Sequence, residues 1–128
     1  MIFPNEPLQE TDMLEDKAKD LGRTIGQSAE YKAVKRSSEA LNEDRESSTL
    51  LRQMEGIRNE AQAMLDRGEQ PTPEMETQLD ALLEQVQTQA AYQRAVVAQD
   101  NFDKLMLRVN TWIADGIKAG AASSIILG

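Results

Sequence analysis

Two apolar stripes of matching period flank a short segment built to turn the chain. Leu50, Met54, Ile57, Ala61 and Met64 step by four, three, four and three residues, with Leu51 and Leu65 widening the stripe. Met75, Leu79, Leu82 and Val86 repeat the pattern. Such spacing keeps apolar side chains on one face of a helix with about 3.6 residues per turn. Between the stripes, Gly68 suits the left-handed position after a helix, Thr72 suits an N-cap, and Pro73 suits a first helical turn, where a missing amide costs little. The pattern predicts an antiparallel helical hairpin from about Asp44 to Val86. Its first limb, from about Asp44 to Arg67, would be about 36 Å long at 1.5 Å per residue, too long to bury its own seam.

The rest of the chain reads as helix too. Leu14, Ala18, Leu21 and Ile25 form one stripe, weakening at Gly22 and Gly26. Ser28 can then cap a second helix with Tyr31, Val34 and Leu41 on its apolar face. The polar run Asn42-Glu43-Asp44 predicts a break, with Asp44 capping the helix of the first hairpin limb. After Val86 the stripe loses phase over Thr88–Ala91, and a new one runs through Tyr92, Phe102, Leu105, Val109, Trp112, Ile113 and Ile117, so a break or kink is expected near residue 89. Pro4 and Pro7 place residues 1–8 in an extended arm. Residues 119–128, ending Ile125-Ile126-Leu127 before Gly128, read as a tail that either frays or docks on a partner. No period-two alternation argues for strands. The expectation is an all-α, single-domain helical bundle of four or five helices around the hairpin. Its long seams favour a homodimer, with the two hairpin stripes and Phe102, Leu105, Val109 and Trp112 as candidate core or dimer interface.

Composition narrows what such a bundle can do. Among 128 residues there is no cysteine and no histidine, which removes disulfides, thiolate nucleophiles, the commonest zinc ligands and the easiest general base near neutral pH. The serines have no base to activate them, and no Gly-x-Ser-x-Gly or phosphate-binding glycine loop occurs. Glu76, Asp80 and Glu84 share one helix face, where a solvated surface is the simpler reading than a cation site. An enzyme is not expected, nor a cofactor or a bound metal.

The net charge of −8 and pI near 4.6 disfavour direct nucleic-acid binding, which depends on neutralising phosphates. Lys32, Lys35 and Arg36 share one face and form the weak candidate for a partner or RNA contact, against the plainer reading of a solvated face. No apolar run is long enough to span a bilayer, and the N-terminus lacks the basic and apolar regions of a signal peptide. A cytoplasmic protein is expected. Met54, Met64, Met75 and Met106, with Trp112 and Ile113, are read first as core and second as an adaptable binding surface.

The run Leu21-x-x-x-Ile25-x-x-Ser28-x-Glu30-Tyr31-x-x-Val34-Lys35, followed by Ala40-Leu41, resembles the opening of the YlbF/YmcA family of small bacterial helical proteins, which includes YheA-like members. Gly68, Pro71 and Pro73 sit where that family turns its central hairpin. Ala98, Phe102, Leu105, Met106, Val109, Asn110 and Ile113 resemble its C-terminal helix. The resemblance covers about residues 12 to 118. It implies a cytoplasmic, dimer-forming regulator whose relatives affect competence, sporulation, biofilm formation and messenger-RNA maturation, so that an RNA-processing factor becomes one conceivable class of protein partner. Two departures stand out. Members often carry Asn-Pro where this chain has Gln89-Ala90, which leaves a continuous helix open there. Some members join a complex whose cysteines hold iron–sulfur clusters, and this chain has no such ligands.

The leading expectation is therefore a non-enzymatic regulatory adaptor acting through helix-mediated contacts with a protein partner. A structural or chaperone-like helical oligomer is the alternative.

Overall fold

A computed structural model describes the backbone of residues 6–127 and the side chains of residues 10–122. Residues 1–5, the first part of the expected extended arm, lie outside the described residues, as do Gly128 and the side chains of Ile125, Ile126 and Leu127. Five helices follow in order: α1 (Glu6–Gly26), α2 (Ala29–Glu43), α3 (Arg45–Asp66), α4 (Pro73–Gln87) and α5 (Ala90–Leu127). No strand occurs among the described residues.

The helix boundaries follow local chemistry. Ser28 Oγ accepts the Tyr31 amide at 3.1 Å, Asp44 Oδ2 accepts the Ser47 amide at 3.1 Å, and Thr72 Oγ1 accepts the Met75 amide at 3.3 Å. Each supplies an oxygen to one of the amides a helix start leaves unpaired. At the end of α3, the Gly68 amide reaches the Leu65 carbonyl at 2.9 Å and the Glu69 amide reaches that of Met64 at 2.8 Å. This crossed pair is a Schellman closure, and it needs the left-handed residue that Gly68 supplies with φ of 80°. Pro73 occupies the first turn of α4.

Both ends of the chain are more helical than the residue types suggest. Glu6, Pro7 and Leu8, which the prolines alone would place in the extended arm, already belong to α1. The amide proline lacks would have had no intrahelical partner in a first turn. The C-terminal tail continues α5 to Leu127, over an alanine-rich stretch with no proline to stop it. Near residue 89 the chain does break: the Gln89 amide reaches the Val86 carbonyl at 3.0 Å, and the Gln93 amide then reaches that of Gln89 at 3.0 Å.

The helices form two tight pairs, α2 with α5 and α3 with α4. The α3–α4 pair is the expected hairpin. Leu50, Met54 and Val86 are buried at its centre, with Leu51, Leu79, Leu82, Leu83 and Tyr92 packed around them. In the second pair α2 runs antiparallel to the first half of α5. Tyr31 meets Phe102 edge to face with ring centroids 5.6 Å apart, and Arg108 reaches Glu30 at 3.8 Å. Ala98 and Val109 are buried on that side.

Two long segments are left uncovered. Every side chain from Glu10 to Thr24 of α1 is exposed, as is every one from Asn110 to Ala122 of α5. For α5 the cause is a mismatch of lengths: α2 has 15 residues and α5 has 38, so α5 runs on well past its partner. The accessible surface is 9811 Å², against roughly 6,800 Å² for a compact monomer of this mass.

A candidate protein-binding surface

The apolar face of α5 does not stop where its cover stops. Ala98, Phe102, Leu105 and Val109 recur at four, three and four residues and face α2; Trp112, Ile113, Gly116 and Ile117 continue the same face beyond it. There Trp112 is 59 % exposed and Ile117 is 67 % exposed, while Val109, one turn earlier, is only 5 % exposed. Gly116 and Gly120 lie in this segment, mid-helix, where glycine costs about 1 kcal/mol relative to alanine. A Cβ at either would meet nothing within 4 Å. No contact inside the chain calls for a glycine at these positions.

The second uncovered stripe is on α1. Leu14 is 70 % exposed and Leu21 38 % exposed, with Met13 beside them, and only Ile25 is half-buried near the junction with α2. Scattered exposed apolar side chains are ordinary, but contiguous stripes along two helices mark surfaces that contact something.

The hairpin residues are placed differently. Leu50, Met54, Met75 and Val86 are buried, and Ile57, Ala61, Met64, Leu79 and Leu82 are half-buried. Gly56, Ile57, Ala81 and Leu82 line an open groove of about 650 Å³ between α3 and α4. On the other pair Phe102 and Leu105 are half-buried. Of the apolar positions singled out from the sequence as core or interface, Trp112 is the one left most open.

Lys32, Lys35 and Arg36 are exposed on α2 and border a shallow depression with Glu39. Folding adds a cation that spacing could not reveal. Arg36 and Arg94, one on each helix, line an open groove of about 750 Å³ between α2 and α5, whose floor is made of small residues such as Ala33, Ala40 and Ala98. The two arginines are 58 positions apart in the chain, so no local signal links them.

Glu76, Asp80 and Glu84 lie on the exposed side of α4, and no group of carboxylates among the described residues is placed to hold a metal ion. Among the described residues, the carboxyl that is clearly shifted, Asp44, is a helix cap. The Ser47 hydroxyl beside it and the Ser47 amide hold it below its ordinary value of 3.8, against a smaller opposing effect of burial. The amide makes the hydrogen bond, whereas the buried Ser47 Oγ has no partner in good geometry. No described helix is long and apolar enough to cross a membrane.

A UPF0342 protein of Streptococcus gordonii is 32 % identical over 75 residues, covering 59 % of this chain and 67 % of that protein. A family model described as control of competence regulator ComK, YlbF/YmcA, matches residues 14–118. That span runs from the exposed stripe of α1 to the exposed stripe of α5, and the chain belongs to the YlbF/YmcA family.

Proposed function

We propose that the protein is a non-enzymatic regulatory adaptor, cytoplasmic and dimeric, that works by presenting helix faces to another protein. The observation that carries this reading is the pair of uncovered apolar stripes on α1 and the second half of α5, in a chain without histidine or cysteine. The description of its family as controlling a competence regulator supports a regulatory role. Helices with apolar anchors at i, i+3, i+4 and i+7 are a common means of protein recognition.

The test is affinity capture from the native host with the tagged full chain, set against an inert helical protein of similar size and charge. A reproducible partner retained by the wild type and lost on Trp112→Glu is the expected result. Absence of any reproducible partner overturns the reading. Suppression of aggregation of unrelated clients, without a defined partner, would favour the chaperone-like alternative.

A further inference from the structure

The cations of this chain are not spread evenly over it. Residues 29–43 and 90–109, which pair as α2 and the first half of α5, hold six of its 14 lysines and arginines but only five of its 22 aspartates and glutamates. The pair is therefore net positive in a chain whose formal charge is −8. Two of those carboxylates are already engaged, Glu30 with Arg108 and Asp103 with Gln99. The groove between the helices has Arg36 on one bank, Arg94 on the other and no carboxylate in its lining. Neither arginine has an ion-pair partner among the described residues.

We infer that this groove docks an acidic helix of a partner protein, whose carboxylates meet Arg36 and Arg94 and whose small or apolar face lies on the alanines between them. The surface is separate from the uncovered stripes of α1 and the second half of α5, so the inference stands whether or not those stripes bind a partner.

Shape favours a helix as the occupant. Ala33, Ala40, Ala90 and Ala98 line the groove, and side chains this short let a second backbone come close. Along α5 the groove runs from Ala90 to Asn101, about 16 Å at 1.5 Å per residue, which matches about three turns of a docked helix. Val97 on its rim is 58 % exposed and supplies apolar contact. Gln93 and Val97 also line a smaller hollow beside Tyr92 and Val96, so the track continues past the rim.

Chemistry favours carboxylates. A guanidinium donates two parallel hydrogen bonds to one carboxylate, and two such forks on opposite banks fix the direction of a helix between them. A nucleic acid fits less well: no aromatic side chain lines the groove to stack a base, and the charge of the whole chain opposes a phosphate backbone. A small organic anion in so open a groove would leave most of its surface in water, unlike ligands in enclosed sites.

Fluorescence anisotropy of the full chain with three labelled probes tests this. The first is an amphipathic helical peptide of about 18 residues, with alanine and leucine on one face and glutamates flanking it. The second carries glutamine for every glutamate, and the third is an oligouridylate of similar length. The acidic peptide is expected to bind with a Kd on the order of tens of micromolar, at least about tenfold tighter than its glutamine counterpart. Arg36→Gln combined with Arg94→Gln should weaken it about tenfold with unchanged circular dichroism, since both side chains are exposed. Arg52→Gln combined with Arg58→Gln, two exposed arginines on α3, removes the same charge elsewhere and should leave binding unchanged. Ala40→Leu narrows the groove without altering charge and should weaken binding about fivefold.

No binding of the acidic peptide, or equal binding of the glutamine peptide, overturns the inference. So does an equal loss in the α3 control, which would reduce the attraction to overall charge, or binding indifferent to Ala40→Leu, which would move it out of the groove. Oligouridylate bound more tightly than the acidic peptide, and released by the Arg36 and Arg94 substitutions, would assign the groove to nucleic acid and likewise overturn it. The adaptor reading is tested separately through Trp112→Glu, so either can fail while the other stands.

Discussion

Tyr31 on α2 and Phe102 on α5 meet edge to face, 5.6 Å between centroids at 61°, across 71 positions of sequence. The pair joins the second and fifth helices near the point where the cover on α5 ends. Edge-to-face rings gain about 0.5–1.5 kcal/mol beyond their burial. Phe102→Ala should therefore destabilise the fold by about 2 kcal/mol, since Phe102 is half-buried and not fully enclosed. Chemical denaturation of Tyr31→Ala, Phe102→Ala and the double variant should show a favourable coupling of about 1 kcal/mol. Strict additivity would mean the rings do not hold the helices together.

The central hairpin should be sensitive to its turn. Gly68 takes φ of 80°, and its amide closes onto the Leu65 carbonyl. Gly68→Ala should lower stability by about 1 kcal/mol, with Gly68→Asn costing less because asparagine tolerates the left-handed region. Thr72→Ala should cost about 1 kcal/mol through the lost cap on the Met75 amide. Wild-type stability in all three variants would show that the turn does not contribute to the fold.

Ser47 is fully buried, and its Oγ has no partner in good geometry. Its amide, which caps through Asp44, survives replacement of the side chain. Ser47→Ala removes an unpaired buried hydroxyl, which is a gain, and also the hydroxyl that helps hold the Asp44 carboxylate charged, which is a loss, so the net change near neutral pH should stay within about 1 kcal/mol of the wild type. A clear loss in thermal or urea unfolding would reveal a hydrogen bond that the geometry does not show.

Asp44 gives the fold an acid-sensitive element. Its carboxyl is held below the ordinary 3.8 by the Ser47 hydroxyl and amide, so the unfolded chain takes up this proton more readily than the folded one. The resulting stabilisation is present above the ordinary value and is lost as pH falls through the lowered one. Unfolding followed between about pH 6 and about pH 2 should show this loss, and Asp44→Asn should flatten that part of the curve. An unchanged profile in the variant would assign the acid sensitivity to other carboxylates.

The hairpin core should respond to charge at its seam. Leu79 packs against the cluster of Leu50, Met54 and Val86. Leu79→Glu is expected to unfold the chain or reduce its helicity, since a carboxylate at this half-buried position loses part of its hydration and gains no partner. Wild-type circular dichroism from this variant would place Leu79 outside the working core.

Much of this architecture is local and legible in the sequence. Helix start and stop are set by groups within four residues of one another, so Ser28, Asp44, Gly68, Thr72 and Pro73 announce their roles in sequence, and stripes at steps of four and three announce each helix face. Pro7 shows the limit of that logic, because the same residue that breaks a helix interior is accepted in a first turn. Which face meets which is a different kind of fact. The stripe of α5 runs from Ala98 to Ile117 with no change of residue type at Val109, yet its first half is covered and its second half open. That division arises because α2 is 15 residues long and α5 is 38, so cover ends where the shorter helix ends. That Arg36 and Arg94 line one groove is likewise a fact of tertiary packing, since it depends on α2 lying against α5. Local hydrogen-bonding chemistry and periodicity determined the elements and their apolar faces; only the packing of unequal helices decided which apolar face became core and which was left for a partner.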